Sequence, residues 1–202
     1  MIAPEDEKRV TEAIRAAEQK TSGEIYCVMA TASGDYRFVA IARAALIALA
    51  IPLPLFYFTP LWIEQIYFVQ IGIFLACAFL FSLPGLRYAL VPRRIKHDRA
   101  SVEAKRQFAA HGLHLTQERT GVLIFASVAE RYVEIVADAG IHAKVSQEVW
   151  DQAVQAMIEK IKQDRPVEGF IEAIQICGGV LAEHFPPGAL NKNELPDKLV
   201  VM

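Results

Sequence analysis

The chain has 202 residues, room for one domain or one domain with a membrane anchor, and 53% of them are hydrophobic. A mean hydropathy of +0.26 is high for a water-soluble protein, while a net charge of −2 and a pI near 6.2 remove any global attraction to nucleic acid. Cys27, Cys77 and Cys177 are odd in number, widely spaced and without a CxxC pair, which argues against a disulfide framework and a cysteine zinc site.

The first nine residues, charged in both signs and followed by no apolar core, do not read as a signal peptide. Residues 4–20 are predicted helical: Pro4 suits the first turn, Glu5, Asp6 and Glu7 favour its dipole, and Val10, Ile14 and Ala17 recur at helical spacing. Thr21-Ser22-Gly23 ends that helix, and Glu24 to Met29 reads as a strand closed by Ser33-Gly34-Asp35.

Two uncharged runs follow, Ala44 to Ile63 and Gln65 to Leu86, fenced by Arg43, Glu64 and Arg87. Each is about 20 residues, the length that crosses roughly 30 Å of hydrocarbon as a helix. Pro52, Pro54 and Pro60 would kink or end the first, and Tyr57, Trp62 and Tyr67 sit near the turn, where an aromatic belt is expected. Arg37 and Arg43 precede the hairpin, and Arg87, Arg93, Arg94 and Lys96 follow it, whereas the turn carries Glu64 and no base. The positive-inside rule therefore puts both chain ends in the cytoplasm and the turn outside.

Residues 98–112 are predicted to form another helix, stopped at Gly112. Thr120 to Ala126 is a doubly buried strand by its unbroken apolar run, and Val128-Ala-Glu-Arg turns it into an antiparallel Tyr132 to Ala137. Helices follow at 145–163 and 167–184, the second ended by Phe185-Pro186-Pro187-Gly188. Residues 188–202 read as a flexible tail. The hairpin thus interrupts one discontinuous domain, residues 1–38 with 95–187, since neither half has strands enough to close a core.

Glu18-Gln-Lys-Thr-Ser-Gly-Glu-Ile-Tyr-Cys-Val, Thr120-Gly-Val-Leu-Ile-Phe and Arg131-Tyr-Val-Glu-Ile-Val-Ala-Asp-Ala-Gly-Ile, in that order, resemble the TPM domain family, in its bacterial branch with a transmembrane hairpin after the first strand. The resemblance implies a Rossmann-like α/β/α sandwich with a small mixed sheet, a place in the bacterial inner membrane, and, for some members, phosphatase activity with a divalent metal such as calcium, magnesium or manganese. Where the family commonly has an acidic-Asn-Gly run, this chain has Glu118-Arg119-Thr120-Gly121. Where it commonly has Gly-aromatic-Gly-Leu-Glu, this chain has Asp138-Ala-Gly-Ile-His142. A carboxylate is thereby replaced by histidine.

A right-handed crossover makes the first two strands parallel, so their starts and the end of the third share one edge. Since the first strand feeds into the hairpin, this edge is expected to face away from the bilayer. It gathers the candidate binding residues Ser22, Glu118, Arg119, Asp138 and His142. Asp138 is the candidate catalytic group, and Asp138 and Glu118 are the candidate metal ligands, with Arg119 for a phosphate oxygen. The competing reading stays open: Asp138 caps the next segment and Arg119 is a surface cation. His111 and His114 make a ligand pair without a third member, and Arg93-Arg94-Ile-Lys96 suits anionic headgroups or simply sets topology. No nucleophile motif, P-loop or GxGxxG occurs. The expectation is a membrane-anchored module that binds a protein partner or a second copy of itself, or aids assembly or maintenance of a membrane complex. A metal-dependent phosphatase is the alternative.

Overall fold

A computed structural model describes residues 3–187 and 193–202. The chain forms two compact units, one of Met1–Ser33 with Arg99–Met202 and one of Gly34–Asp98.

The first unit is built on a sheet. Its first helix, α1 (Pro4–Glu18), leads into β1 (Glu24–Ala30), and β2 (Gly121–Ser127) and β3 (Tyr132–Ala137) come after the intervening residues. β1 and β2 are parallel, with Glu24 opposite Gly121 and Ala30 opposite Ser127, and β3 returns antiparallel to β2. The sheet order is β3-β2-β1-β4, the last strand being β4 (Leu199–Val201), parallel to β1.

Alternation explains why β1 and β2 are so uniformly apolar. Ile25, Cys27, Val122, Ile124 and Ala126 point to one face, and Tyr26, Val28, Leu123 and Phe125 to the other. The first face is covered by α1, by α8 (Gln147–Lys162) and by α9 (Pro166–His184), through Val10, Ile14, Trp150, Met157, Phe170 and Ile174. The second face is covered by the part of α6 (Arg93–Ala110) that belongs to this unit, where Ala100 and Ala104 let the helix lie close, and by Leu113. Each large apolar side chain removed from water here contributes about 1.5–3 kcal/mol. The result is a three-layer α/β/α sandwich on a mixed sheet, as expected. The predicted helices, the three predicted strands and the stop at Gly112, which has φ +72°, are all present.

Two elements depart from the sequence reading. A short helix, α7 (Ala139–His142), follows β3 directly, capped by Asp138. The supposed flexible tail ends as β4, with the Met202 amide donating to Met29 O at 3.0 Å; residues 188–192 lie outside the described residues. Leu199 is buried, so a three-residue apolar end suffices to add an edge strand once β1 is there to receive it.

The second unit contains α2 (Arg37–Ala50), α3 (Pro52–Phe58), α4 (Ile63–Ser82) and α5 (Pro84–Ala89). Residues Arg37–Phe58 and Ile63–Ser82 form two helices long and apolar enough to cross a membrane. α2 packs along α4, and its buried residues are Ala40, Ala44 and Ala48, a stripe four residues apart that allows close approach. The helices are shifted from the uncharged runs. The turn falls at 59–62, before Glu64, because the Gln65 side chain accepts the Trp62 amide and starts α4 there, with Glu64 in its dipole-favoured first turn. α2 ends at Ala50 and Pro52 opens α3, so the prolines interrupt the first apolar run as expected, and Pro54 falls in the first turn of α3, whose amides need no helical partner.

Candidate functional site

The edge where β1 and β2 begin and β3 ends is assembled from three segments. The α1–β1 turn is fixed by Thr21, whose hydroxyl donates to Phe185 O at 2.7 Å and accepts from the Gly23 amide at 3.0 Å. Thr120 ties the second segment to it, its hydroxyl donating to Ser22 O at 3.1 Å. Ser22 Oγ donates to Glu118 Oε2 at 2.7 Å. The third segment joins through the Asp138 amide, which donates to Gly121 O at 2.9 Å. Gly140 is packed so tightly on this seam that a Cβ there would lie 2.6 Å from Arg119 O and 2.9 Å from Glu118 O. Arg119 itself has a left-handed backbone, φ +56°.

Ser22, Glu118, Arg119 and Asp138 therefore come from segments in contact, and His142 ends the helix that Asp138 starts. Their environments differ. Glu118, Arg119 and His142 are exposed, whereas Asp138 is buried. One Asp138 oxygen accepts the Ala139 amide at 2.6 Å, so the cap reading holds for that atom. The other, Oδ2, is buried without a hydrogen-bond partner. An uncompensated buried acceptor costs about 1–3 kcal/mol, and such an atom asks for an explanation, a bound water, ion or ligand among them.

The divalent-metal set implied by the resemblance is not made up here. Glu118 is engaged by Ser22, the Glu118 and Arg119 carbonyls are covered by Gly140, and His142 stands in the carboxylate's place. Among the described residues no three His, Cys, Asp or Glu side chains come together as a metal site. Calcium asks for six to eight oxygen ligands. Of the His111–His114 pair, His111 is otherwise used: its ring stacks on Tyr26 with centroids 4.5 Å apart, and burial lowers its pKa.

Two features escaped the sequence reading. The first is an acidic cluster beside the start of β1. Glu24 is buried, and its carboxylate accepts the Glu194 and Leu195 amides at 3.2 and 3.1 Å. Glu18 accepts the Ile25 amide at 2.8 Å and has its pKa pushed up to about 8, chiefly by burial, with Glu24 and Asp197 adding repulsion. Burial raises Glu24 as well. Arg15 pairs with Asp197 at 3.0 Å. An acid opening an apolar strand was the available signal, but its partners lie in the last ten residues.

The second is a cavity of about 700 Å³ at the opposite edge, where β1 and β2 end. Met29, Ala126 and Val133 from the sheet face Ile158, Ile161 and Phe170 from α8 and α9. Ligands of open α/β sheets lie outside the carboxyl ends of parallel strands, which is this edge. Nearby, Ser127 and the Ser33 amide both donate to the buried Glu130 carboxylate, pinning the end of β1's loop to that of β2.

Residues 86–180 match the family model of the TPM domain. The chain carries a TPM domain. The chain also has a counterpart among solved structures. The NMR structure of the BA42 protein from the psychrophilic bacterium Bizionia argentinensis superposes with a TM-score of 0.64 at 21% identity, covering 100% of this chain and 96% of that one. At that identity the likeness speaks for the fold. No curated protein matches.

Proposed function

We propose that this TPM protein is a membrane-anchored module: the two apolar helices fix the chain in a bilayer, and the α/β unit binds a protein partner, or a second copy of the chain, in assembling or maintaining a membrane complex. The observation that carries the reading is the outward direction of the apolar side chains. In the most apolar 18-residue windows of the two helices, 17% and 6% of residues are buried. Phe38, Phe58 and Phe79 are 79%, 86% and 73% exposed. At about 25 cal/mol per Å² of apolar surface, water is a poor solvent for such helices and hydrocarbon a good one. The basic residues on both flanks support an orientation with the 59–62 turn outside.

Alkaline carbonate extraction tests the anchor; release of the full chain into the soluble fraction would sink it. Orientation is tested with an impermeant maleimide on intact spheroplasts, where Thr59→Cys is expected to label and Lys8→Cys to stay unlabelled. For the partner, affinity capture from membranes that returns neither a reproducible protein nor the chain itself counts against the reading.

A second reading, phosphoryl hydrolysis at the Asp138 edge, draws support from the unpaired Asp138 Oδ2. It requires hydrolysis of an aryl phosphate that is lost in Asp138→Ala, measured with and without Mg²⁺, Mn²⁺ and Ca²⁺. Equal rates for the two proteins remove it.

A further inference from the structure

The cavity at the carboxyl edge of β1 and β2 has a composition that names a class of ligand. Its walls are apolar, from Met29 and Val133 on the sheet to Ile158, Ile161 and Phe170 on the helices. Its charged lining consists of Arg131, Lys162 and Asp164. Lys162 is already engaged by Glu159 at 3.3 Å. Arg131 is exposed and forms no ion pair among the described residues. It also occupies a turn position with φ +52°, and Asp164 one with φ +60°, both conformations that glycine adopts more readily. At about 700 Å³ the space lies within the range of small-molecule sites, roughly 300–1,000 Å³.

An apolar body satisfies the walls, and an oxyanion satisfies the guanidinium fork, which binds carboxylate and phosphate oxygens in pairs. A neutral apolar molecule leaves Arg131 unused, and a small inorganic anion leaves the walls wet. We propose that this cavity binds a single-chain amphiphilic anion, its chain between the sheet and α8–α9 and its carboxylate or phosphate on Arg131. All the lining residues belong to the α/β unit, so the assignment stands apart from the anchor reading.

The test is calorimetric titration of the full-length chain in phosphatidylcholine nanodiscs, with empty discs as the blank. The probes are octanoate, octyl phosphate and octanol. One saturable site above the blank is expected for at least one anion, with octanol at least tenfold weaker. The preferred head distinguishes the source, carboxylate for a free fatty acid and phosphate for a lipid monoester. Arg131→Asn, a neutral residue that tolerates the left-handed backbone, is expected to weaken the anion at least tenfold and leave octanol unchanged. Ile161→Trp, which fills the cavity from its rim, should abolish binding of every probe. Octanol binding as tightly as both anions, no saturable site above empty discs, or an Arg131→Asn protein that folds and binds the anions normally each overturns the assignment. Should Arg131→Asn not fold, Arg131→Lys takes its place, with retained but weaker anion binding expected and unchanged binding overturning it. Failure of the chain to enter discs would speak against the anchor alone, and the same titrations are then made on the full-length chain in dodecyl maltoside, with the same outcomes supporting or overturning the assignment.

Discussion

Replacing Glu18 by Gln should change how the stability of the α/β unit responds to pH. Glu18 sits at the C-terminal end of α1, facing Glu24 and Asp197, with Arg15 the nearby cation. Its pKa is raised from 4.5 to about 8, so the folded state holds a proton that the unfolded chain gives up near 4.5. The stabilisation is complete below pH 4.5 and is lost as pH rises toward 8, after which the curve flattens. One carboxyl loses about 1.4 kcal/mol per pH unit across that window. Allowing for the solvent that still reaches the side chain, the total is on the order of 3 kcal/mol. Glutamine keeps the acceptor for the Ile25 amide and offers a donor to Asp197 without a charge. Urea unfolding followed by Trp150 fluorescence, in a Trp62→Phe background, should show the wild type weakening between pH 5 and 8 and Glu18→Gln changing far less. Since Glu24 is raised in the same direction, a residual slope of the same sign will persist. Parallel stability curves for the two proteins would refute the reasoning.

Neighbouring glycines of α9 should respond in opposite directions to alanine. A Cβ on Gly178 would lie 2.7 Å from Ala17 Cβ, and Gly178→Ala should cost about 1–3 kcal/mol in denaturant melts. Gly179 has nothing within 4 Å, and Gly179→Ala should stabilise by about 0.5–1 kcal/mol. Gly140→Ala meets backbone oxygen, which cannot rotate away, so a loss of about 2 kcal/mol or more is expected, with a lower melting temperature as the readout. Glu24→Gln offers one acceptor where two amides need one, and should speed hydrogen exchange at Glu194 or Leu195 while costing about 1–3 kcal/mol.

The parts of the fold that were legible in the sequence are those whose partners are implied by periodicity. Val10 and Ile14 announce a buried helical stripe, and the unbroken run from Val122 to Ala126 announces a strand covered on both faces. Right-handed crossover then suffices to bring Ser22, Glu118 and Asp138 to one edge. The elements that escaped depend on distant segments. Leu199 to Val201 is too short to show a period, and its strand exists only because β1 has a free edge. The turn of the apolar pair lies earlier than the uncharged runs suggest, because absence of charge measures hydrophobicity, whereas α4 starts where the Gln65 side chain accepts the Trp62 amide. The cavity has no local signature at all, since Met29, Val133, Ile158 and Phe170 meet only after the sheet and both helices have packed.

The place of β1 in the sheet also sets a timetable for synthesis. This strand is hydrogen-bonded on both sides, to β2 and to β4, yet neither neighbour exists when it leaves the ribosome. At about 5–20 residues per second, the chain adds the entire Gly34–Asp98 unit, and several seconds pass, before Gly121 arrives. A nascent chain arrested anywhere in that interval carries Ile25, Tyr26, Cys27 and Val28 with no sheet to join, the kind of segment that chaperones capture. β4 is made after every other strand of the sheet, so β1 keeps one bare edge until then.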